Sequence, residues 1–348
     1  MGSQDIGLKS YLEDTRRYAD LWNGGVFGGR QMIHPDELEE ITPVLPKADK
    51  RVVVERTRDL VMMQSRKGHR LAVFALENQT KVDYGMPVRI MLQEALEYDR
   101  QIRKIMHENE KKDRAYQEGK GSKVYHDDGE YLYKVRKEDR LYPIATLIVY
   151  WGEEIWKGAR SLHEMIHFNA LGQPEELELK RLVPEYPLHF LDLAEFHHFE
   201  YFKTELRPLF ELYQRRNSKK NFMDYIKMGG ISQSMDEESW YMLSQMTHSK
   251  DLVKLGKLIE EKKQEEGEEK AVCKAIEDLK NDGRAEGRAE GKAEGKAECI
   301  IDLLEERGIV SDDLKRRILE QSDFEVLKSW LKLAVRVKNV EEFVTCIS

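Results

Sequence analysis

The stretch Leu71-Ala72-Val73-Phe74-Ala75-Leu76-Glu77-Asn78-Gln79 decides the reading of this chain. Its first six residues are apolar on both parities, so a strand here must be covered on both faces, as a central strand of a mixed or parallel sheet is. The pattern then turns polar, and Glu77 and Gln79, two residues apart, project to the same side of the sheet. Upstream, residues 51–63 are rich in β-branched side chains and read as extended chain, with a turn at Lys67-Gly68. A hairpin with residues 58–63 is the simplest pairing, and it brings Asp59 beside Glu77. Two carboxylates converging at a sheet end make an oxygen-rich site suited to Mg²⁺ or Mn²⁺. Such an ion polarises a phosphate and lowers the pKa of a bound water. The competing reading is ordinary: Glu77 marks a solvent-exposed strand end and Asp59 pairs with a neighbouring arginine.

Working outward, apolar spacing predicts a first helix over 11–27, closed by Gly24-Gly25 and Gly28-Gly29. From Pro87 to Ile105 the period is helical, with Val88, Met91, Leu92, Ala95, Tyr98 and Ile102 on one face. Residues 107–140 read as polar loop, 143–151 as a third apolar strand, and 160–167 as a short helix. Residues 175–255 carry further helical patterns. The order of strands and helices implies an α/β core over 10–160 with a helical extension over 161–255. A charged linker or helix over 256–300 and a small helical module over 301–348 complete the expected organisation.

The 348 residues are 40% apolar and 35% charged, with mean hydropathy −0.66. No apolar run approaches the roughly 18 residues of a membrane helix, and no basic-then-apolar leader opens the sequence, so a soluble, cytoplasmic protein is expected. Cys273, Cys299 and Cys346 form no CxxC pair, which excludes a disulfide scaffold and a thiolate zinc site. The net charge of −8 is uneven: residues 1–230 carry 37 basic and 38 acidic side chains, and residues 231–348 carry 20 and 27. The front is neutral enough to hold a basic patch, while the back is an acidic module.

Gly283 to Glu298 is four copies of Gly-(Arg/Lys)-Ala-Glu. A four-residue period on a 3.6-residue helix rotates the Gly/Ala stripe by about 40° per copy. Like charges fall at i,i+4, and each glycine costs about 1 kcal/mol against alanine. A flexible or fraying spacer is therefore favoured over a lone helix, unless a partner covers the stripe.

The blocks Arg16-Arg17-Tyr18-Ala19-Asp20-Leu21-Trp22-Asn23, Glu55 to Asp59, Leu76 to Thr80, Tyr84 to Arg89, Pro143 to Gly152 and Arg160 to Met165 follow in an order that resembles the Rpn family. These are recombination-promoting nucleases, also labelled transposases, within the PD-(D/E)XK nuclease superfamily. The resemblance covers roughly residues 10–230. It implies a restriction-endonuclease-like core, a central mixed sheet flanked by helices, and Mg²⁺-dependent DNA cleavage, with Mn²⁺ or Ca²⁺ as substitute ions. Its D…ExK-type motif falls on Asp59, Glu77 and Gln79, with Asp59 and Glu77 holding the ion, the Asn78 carbonyl as a further ligand and Asp20 as an accessory acid. Gln79 departs from the usual lysine, and an amide cannot act as a base at neutral pH. Arg89 in a family block, with Arg100, Arg103 and Lys104 behind it, would hold the DNA backbone; the last three read equally as a solvated helix face. The absence of an aromatic-interleaved base-reading motif points to low sequence specificity. The resemblance also suggests roles in recombination, horizontal transfer or phage defence, and the C-terminal helices are the expected seat of a homodimer that cuts two strands.

Two rivals differ in class. One is a catalytically silent DNA- or protein-binding scaffold of the same fold. The other is a zinc protease, because His163-Glu164-Met165-Ile166-His167 fits H-E-x-x-H, with Glu185 or Glu195 as third ligand. That motif lacks the metzincin extension, since Ala170 and Gln173 stand where Gly and His would. His197-His198 reads as core or surface, and Tyr150, Trp151 and Trp156 as packing.

Overall fold

The structure, a computed structural model, describes residues 3–41, 59–168, 172–227, 235–266, 268–321 and 323–347. The expectation of extended chain over 51–58 lies outside these. The chain divides into two compact units, Met1–Gly256 and Lys257–Ser348, so the boundary falls inside one helix, Asp251–Glu266.

The first unit is built on a mixed five-stranded sheet. Its strands are β1 (Leu38–Glu40), β2 (Leu60–Arg66), β3 (His69–Gln79), β4 (Ile144–Tyr150) and β5 (His189–Asp192), in spatial order β1-β2-β3-β4-β5. The first three pair antiparallel; β4 runs parallel to β3, and β5 parallel to β4. Lys67 (φ 51°) and Gly68 (φ 78°) join β2 to β3 in a two-residue turn with both φ positive, the conformation whose twist matches the flanking strands.

Two helices explain why β3 is apolar on both parities. On one face lies α2 (Thr15–Gly25), following α1 (Ser3–Leu12). Trp22 packs edge-on against Phe74 at 4.8 Å, and Tyr18 Oη donates to the Phe74 carbonyl at 2.8 Å. On the other face lies α3 (Met86–Gln117), opened by Pro87 in its first turn. Tyr98 joins Val61, Met63, Val73, Ala75 and Ile144, while Met86 and Ile90 pack on Ile148, Tyr150 and Trp156. β3 is thus covered above and below, as its sequence demands.

Short elements complete the unit: α4 (Asp128–Tyr133), α5 (Leu162–Met165), α6 (Gln173–Leu182), α7 (Leu206–Gln214), α8 (Lys219–Lys227) and α9 (Glu237–Thr247). The Tyr213 hydroxyl on α7 donates to the Trp151 carbonyl just past β4. Burial pushes that phenol up to about 12, so it stays a donor throughout the neutral range. α2 approaches the segment before α7 so closely that a Cβ on Gly24 would lie 2.4 Å from the Phe202 ring. Gly24→Ala is therefore expected to destabilise by about 1–3 kcal/mol through overpacking, read as a lowered thermal midpoint.

Several expectations are corrected. The single helix over 11–27 is two, broken where Asp14 caps α2 by accepting from Arg16 N. α3 runs on to Gln117, because residues 106–117 are mostly good helix formers despite their polarity. The polar stretch before residue 42 contributes β1, and the stretch expected to be purely helical supplies β5, whose four residues are too few to show a period.

The second unit contains α11 (Glu268–Glu305), α12 (Asp312–Leu319), α13 (Phe324–Arg336) and α14 (Val340–Ile347), preceded by α10 (Asp251–Glu266). The Gly-(Arg/Lys)-Ala-Glu repeats lie within one continuous helix, against the flexible reading. Its C-terminal end is anchored: Ala297, Ile300 and Leu304 share a core with Leu314, Ile318, Leu327, Ala334 and Phe343. A helix held at one end no longer has to supply its own nucleus. Gly283, Gly287, Gly291 and Gly295 have open space where a Cβ would sit.

Candidate active site

The β2–β3 register sets the geometry. Leu60 lies opposite Leu76 and Val61 opposite Ala75, so one step further Asp59 stands opposite Glu77. Directly opposed positions start their side chains about 5 Å apart on one face. That face is the one α3 covers, since Ala75 and Val61 belong to the cluster that Tyr98 packs on. Glu77 is 1% exposed.

A buried carboxylate needs charge and hydrogen bonds around it. Glu77 Oε1 accepts from the Arg89 guanidinium in a close ion pair and from Gln79 Nε2 at 3.1 Å. Arg89, on the first turn of α3, also reaches Asp83 at 3.3 Å. Asp83 in turn accepts from Gly85 N at 2.8 Å, fixing the turn that launches the helix. Asp59 Oδ2 accepts from Asn78 N at 2.7 Å. The Asn78 side chain leaves this face: its Oδ1 accepts from Trp151 Nε1 at 3.2 Å.

Glu77, Gln79 and Arg89 are therefore in contact, and Asp59 is tied to the neighbouring Asn78 amide; the Asn78 side chain is not among them. Nor is Asp20. Its carboxylate accepts from Lys203 N at 2.9 and 2.8 Å, from Thr204 N at 2.8 Å and from Thr204 Oγ1 at 2.7 Å, tying α2 to the segment that leads into α7. Buried and so engaged, it is a fold link rather than an acid beside Glu77. Further along α3, Arg100 pairs with Glu97 at 2.5 Å, Arg103 with Asp99 at 2.8 Å, and Lys104 with Glu108 at 4.0 Å.

No family model, curated protein or solved structure matches this chain. Function must be read from the site itself.

The H-E-x-x-H segment does not form the helix a zinc site needs. α5 ends at Met165, so His167 is not one helical turn from His163. The His163 ring is occupied on both sides, by the Val183 carbonyl at 2.8 Å and Glu185 at 3.1 Å. Against a desolvation that would raise it, the backbone amides of His163 and Tyr186 hold the Glu185 carboxyl below the usual range. Glu164 accepts from Arg160 N at 2.7 Å. Among the described residues no group of three or more His, Cys, Asp or Glu side chains is placed to hold a metal. The Glu77 site offers two carboxylates, and Mg²⁺ commonly takes one or two with waters filling its octahedron.

Sequence reasoning missed Asp83, whose signal was an Asp two residues before a glycine that opens a Pro-started helix. It also missed a polar layer beneath α3. Gln93 is fully buried, and neither of its amide atoms, nor Thr146 Oγ1, has a hydrogen-bond partner among the described residues. Tyr98 accepts from Ile144 N at 3.2 Å and Ile90 packs on Ile148, so Gln93 lies at the level of Thr146 between them. Losing an amide that has no partner relieves a burial cost. Gln93→Met is expected to hold or slightly raise the thermal midpoint; a clear drop would mean that the amide is well satisfied in solution.

Proposed function

We propose that this protein is a Mg²⁺-dependent DNA endonuclease of low sequence specificity, with a PD-(D/E)XK core of the Rpn type. The observation that carries the reading is the burial of Glu77 opposite Asp59, on one sheet face, beside Gln79. A mixed sheet flanked by helices is the architecture the resemblance requires, and the ends of open sheets are where such folds gather their chemistry. Asp59 and Glu77 would hold the ion, which supplies Lewis acidity toward the scissile phosphate and an acidified water.

The protein's own groups divide the remaining work. Gln79 donates to Glu77 and so fixes the rotamer of that carboxylate. It cannot remove a proton, which leaves a substrate phosphate oxygen as acceptor. Arg89 links Glu77 to Asp83 and is one-third exposed, so it supplies fixed positive charge at the edge of the site where a DNA strand would pass. Duplex cleavage would use two copies associating through the C-terminal helices, in recombination, horizontal transfer or phage defence.

A second reading, a silent scaffold of the same fold, is favoured by one observation: Arg89 already neutralises Glu77. Incubation of supercoiled plasmid with the full-length protein in Mg²⁺ or Mn²⁺ decides between them. Nicked and linear products support the nuclease, and intact plasmid together with no calorimetric Mg²⁺ binding supports the scaffold.

A further inference from the structure

At the far end of α3 the same sheet face opens into a cavity of about 220 Å³. Its lining combines apolar Ile41, Met63 and Ile105 with the cations Arg70, Arg100, Lys104 and Arg140, against only Glu97 and Glu108. The acids do not cancel the cations evenly. Arg100 is paired to Glu97 at 2.5 Å, and Lys104 meets Glu108 only at 4.0 Å. Arg140 Nη1 donates to the carbonyls of Lys137 and Asp139, at 2.6 and 2.8 Å, which fixes the guanidinium without neutralising it. Neither Arg70 nor Arg140 has an acidic partner within 4 Å among the described residues.

The walls are also held in place before anything binds. Gln101 clamps Tyr142 from both sides, its Oε1 accepting from Tyr142 N at 2.8 Å and its Nε2 donating to the Tyr142 carbonyl at 3.3 Å. That clamp pins the segment bearing Arg140 to α3 at the level of Lys104. On the opposite wall, Arg70 stands on β3 just after the tight turn and pairs in register with Ser65. Fifteen residues separate Arg89 from Lys104 along α3, about 22 Å of helix, so this cavity is distinct from the Glu77 site.

We propose that the cavity binds a phosphate group, the ligand that planar guanidinium forks lining a small, partly apolar cavity recognise best. A volume this small takes the phosphate end of a phosphomonoester rather than a whole cofactor. The same chemistry is offered by a backbone phosphate of DNA, and the two sources separate experimentally. The inference does not rest on the nuclease reading, since it requires binding and no cleavage.

The test is calorimetric titration of the full-length protein in EDTA, which removes any metal-dependent binding at Asp59 and Glu77. The probes are thymidine 5′-monophosphate, thymidine, and a short DNA duplex. The expected result is that the monophosphate binds and thymidine does not, with affinity falling about ten-fold or more in Arg70→Ala and Arg140→Ala. Lys123→Ala, which alters an exposed cation outside the cavity, is expected to leave it unchanged. If only the duplex binds and loses affinity in the same two variants, the phosphate is that of the DNA backbone and the site stands. If neither probe binds, or Arg70→Ala and Arg140→Ala bind both probes as the wild type does, the proposal is overturned. Both substituted residues are exposed, and the near-ultraviolet circular dichroism of each variant checks that the fold is kept.

Discussion

Asp59→Asn is expected to slow plasmid nicking in Mg²⁺ by about 10²–10³-fold, the loss of several kcal/mol of charge stabilisation at the metal. The choice of Asn over Ala matters. In the structure the Asp59 carboxylate accepts the Asn78 backbone amide at 2.7 Å, and an asparagine oxygen accepts that same bond. The substitution therefore removes the charge while leaving the β2–β3 connection intact, and thermal denaturation is expected to change little. Calorimetry is expected to show Mg²⁺ affinity reduced about ten-fold or more. Should Asp59→Asn cut as fast as the wild type, the role of Asp59 is confined to the Asn78 amide. The nuclease reading would then be left with a single carboxylate.

The parts of the fold that were legible are those fixed by short-range chemistry. The tight turn at Lys67-Gly68, the doubly covered β3 and the apolar β4 follow from period and from φ preference alone. The facing of positions 59 and 77 was not legible in the same way: the register of the turn alone would set Asp59 opposite Leu76, and the irregularity between Gln64 and Ser65 supplies the one-residue shift that sets it opposite Glu77. What was not legible depends on tertiary partners. β5 is four residues long and owes its place to pairing with β4. Asp20 sits in a block that the resemblance marks as functional, yet its oxygens are taken by amides some 180 residues away in sequence, a distance no local pattern reports. Propensity alone leaves the glycine repeats open between a helix and a flexible spacer, because it carries no information on the terminal module that anchors Ala297, Ile300 and Leu304. The cationic cavity has no local signature, because Arg70 and Arg140 join Arg100 and Lys104 from separate stretches of chain.

Arg89→Met separates the nuclease from the scaffold through stability alone. The substitution keeps most of the aliphatic length and removes the only cation paired with Glu77 among the described residues. Breaking a fully buried pair from one side costs about 3–5 kcal/mol, and because Arg89 is one-third exposed the expected cost here is lower, about 2–3 kcal/mol. Urea denaturation is expected to show a lowered midpoint with an unchanged slope, since the same surface is exposed on unfolding. The decisive arm is the addition of Mg²⁺. If Asp59 and Glu77 form a cation site, Arg89 and the ion compete for the same carboxylate oxygens, and removing the arginine strengthens metal binding. A ligand at a hundred times its dissociation constant stabilises by about 2.7 kcal/mol, enough to offset the loss. Mg²⁺ is therefore expected to return the variant close to the wild-type midpoint while moving the wild type itself less. Equal response of the two proteins would mean that Glu77 is an internal counter-ion for Arg89 and nothing more, and the chemistry proposed for this sheet face would have no ion to act through.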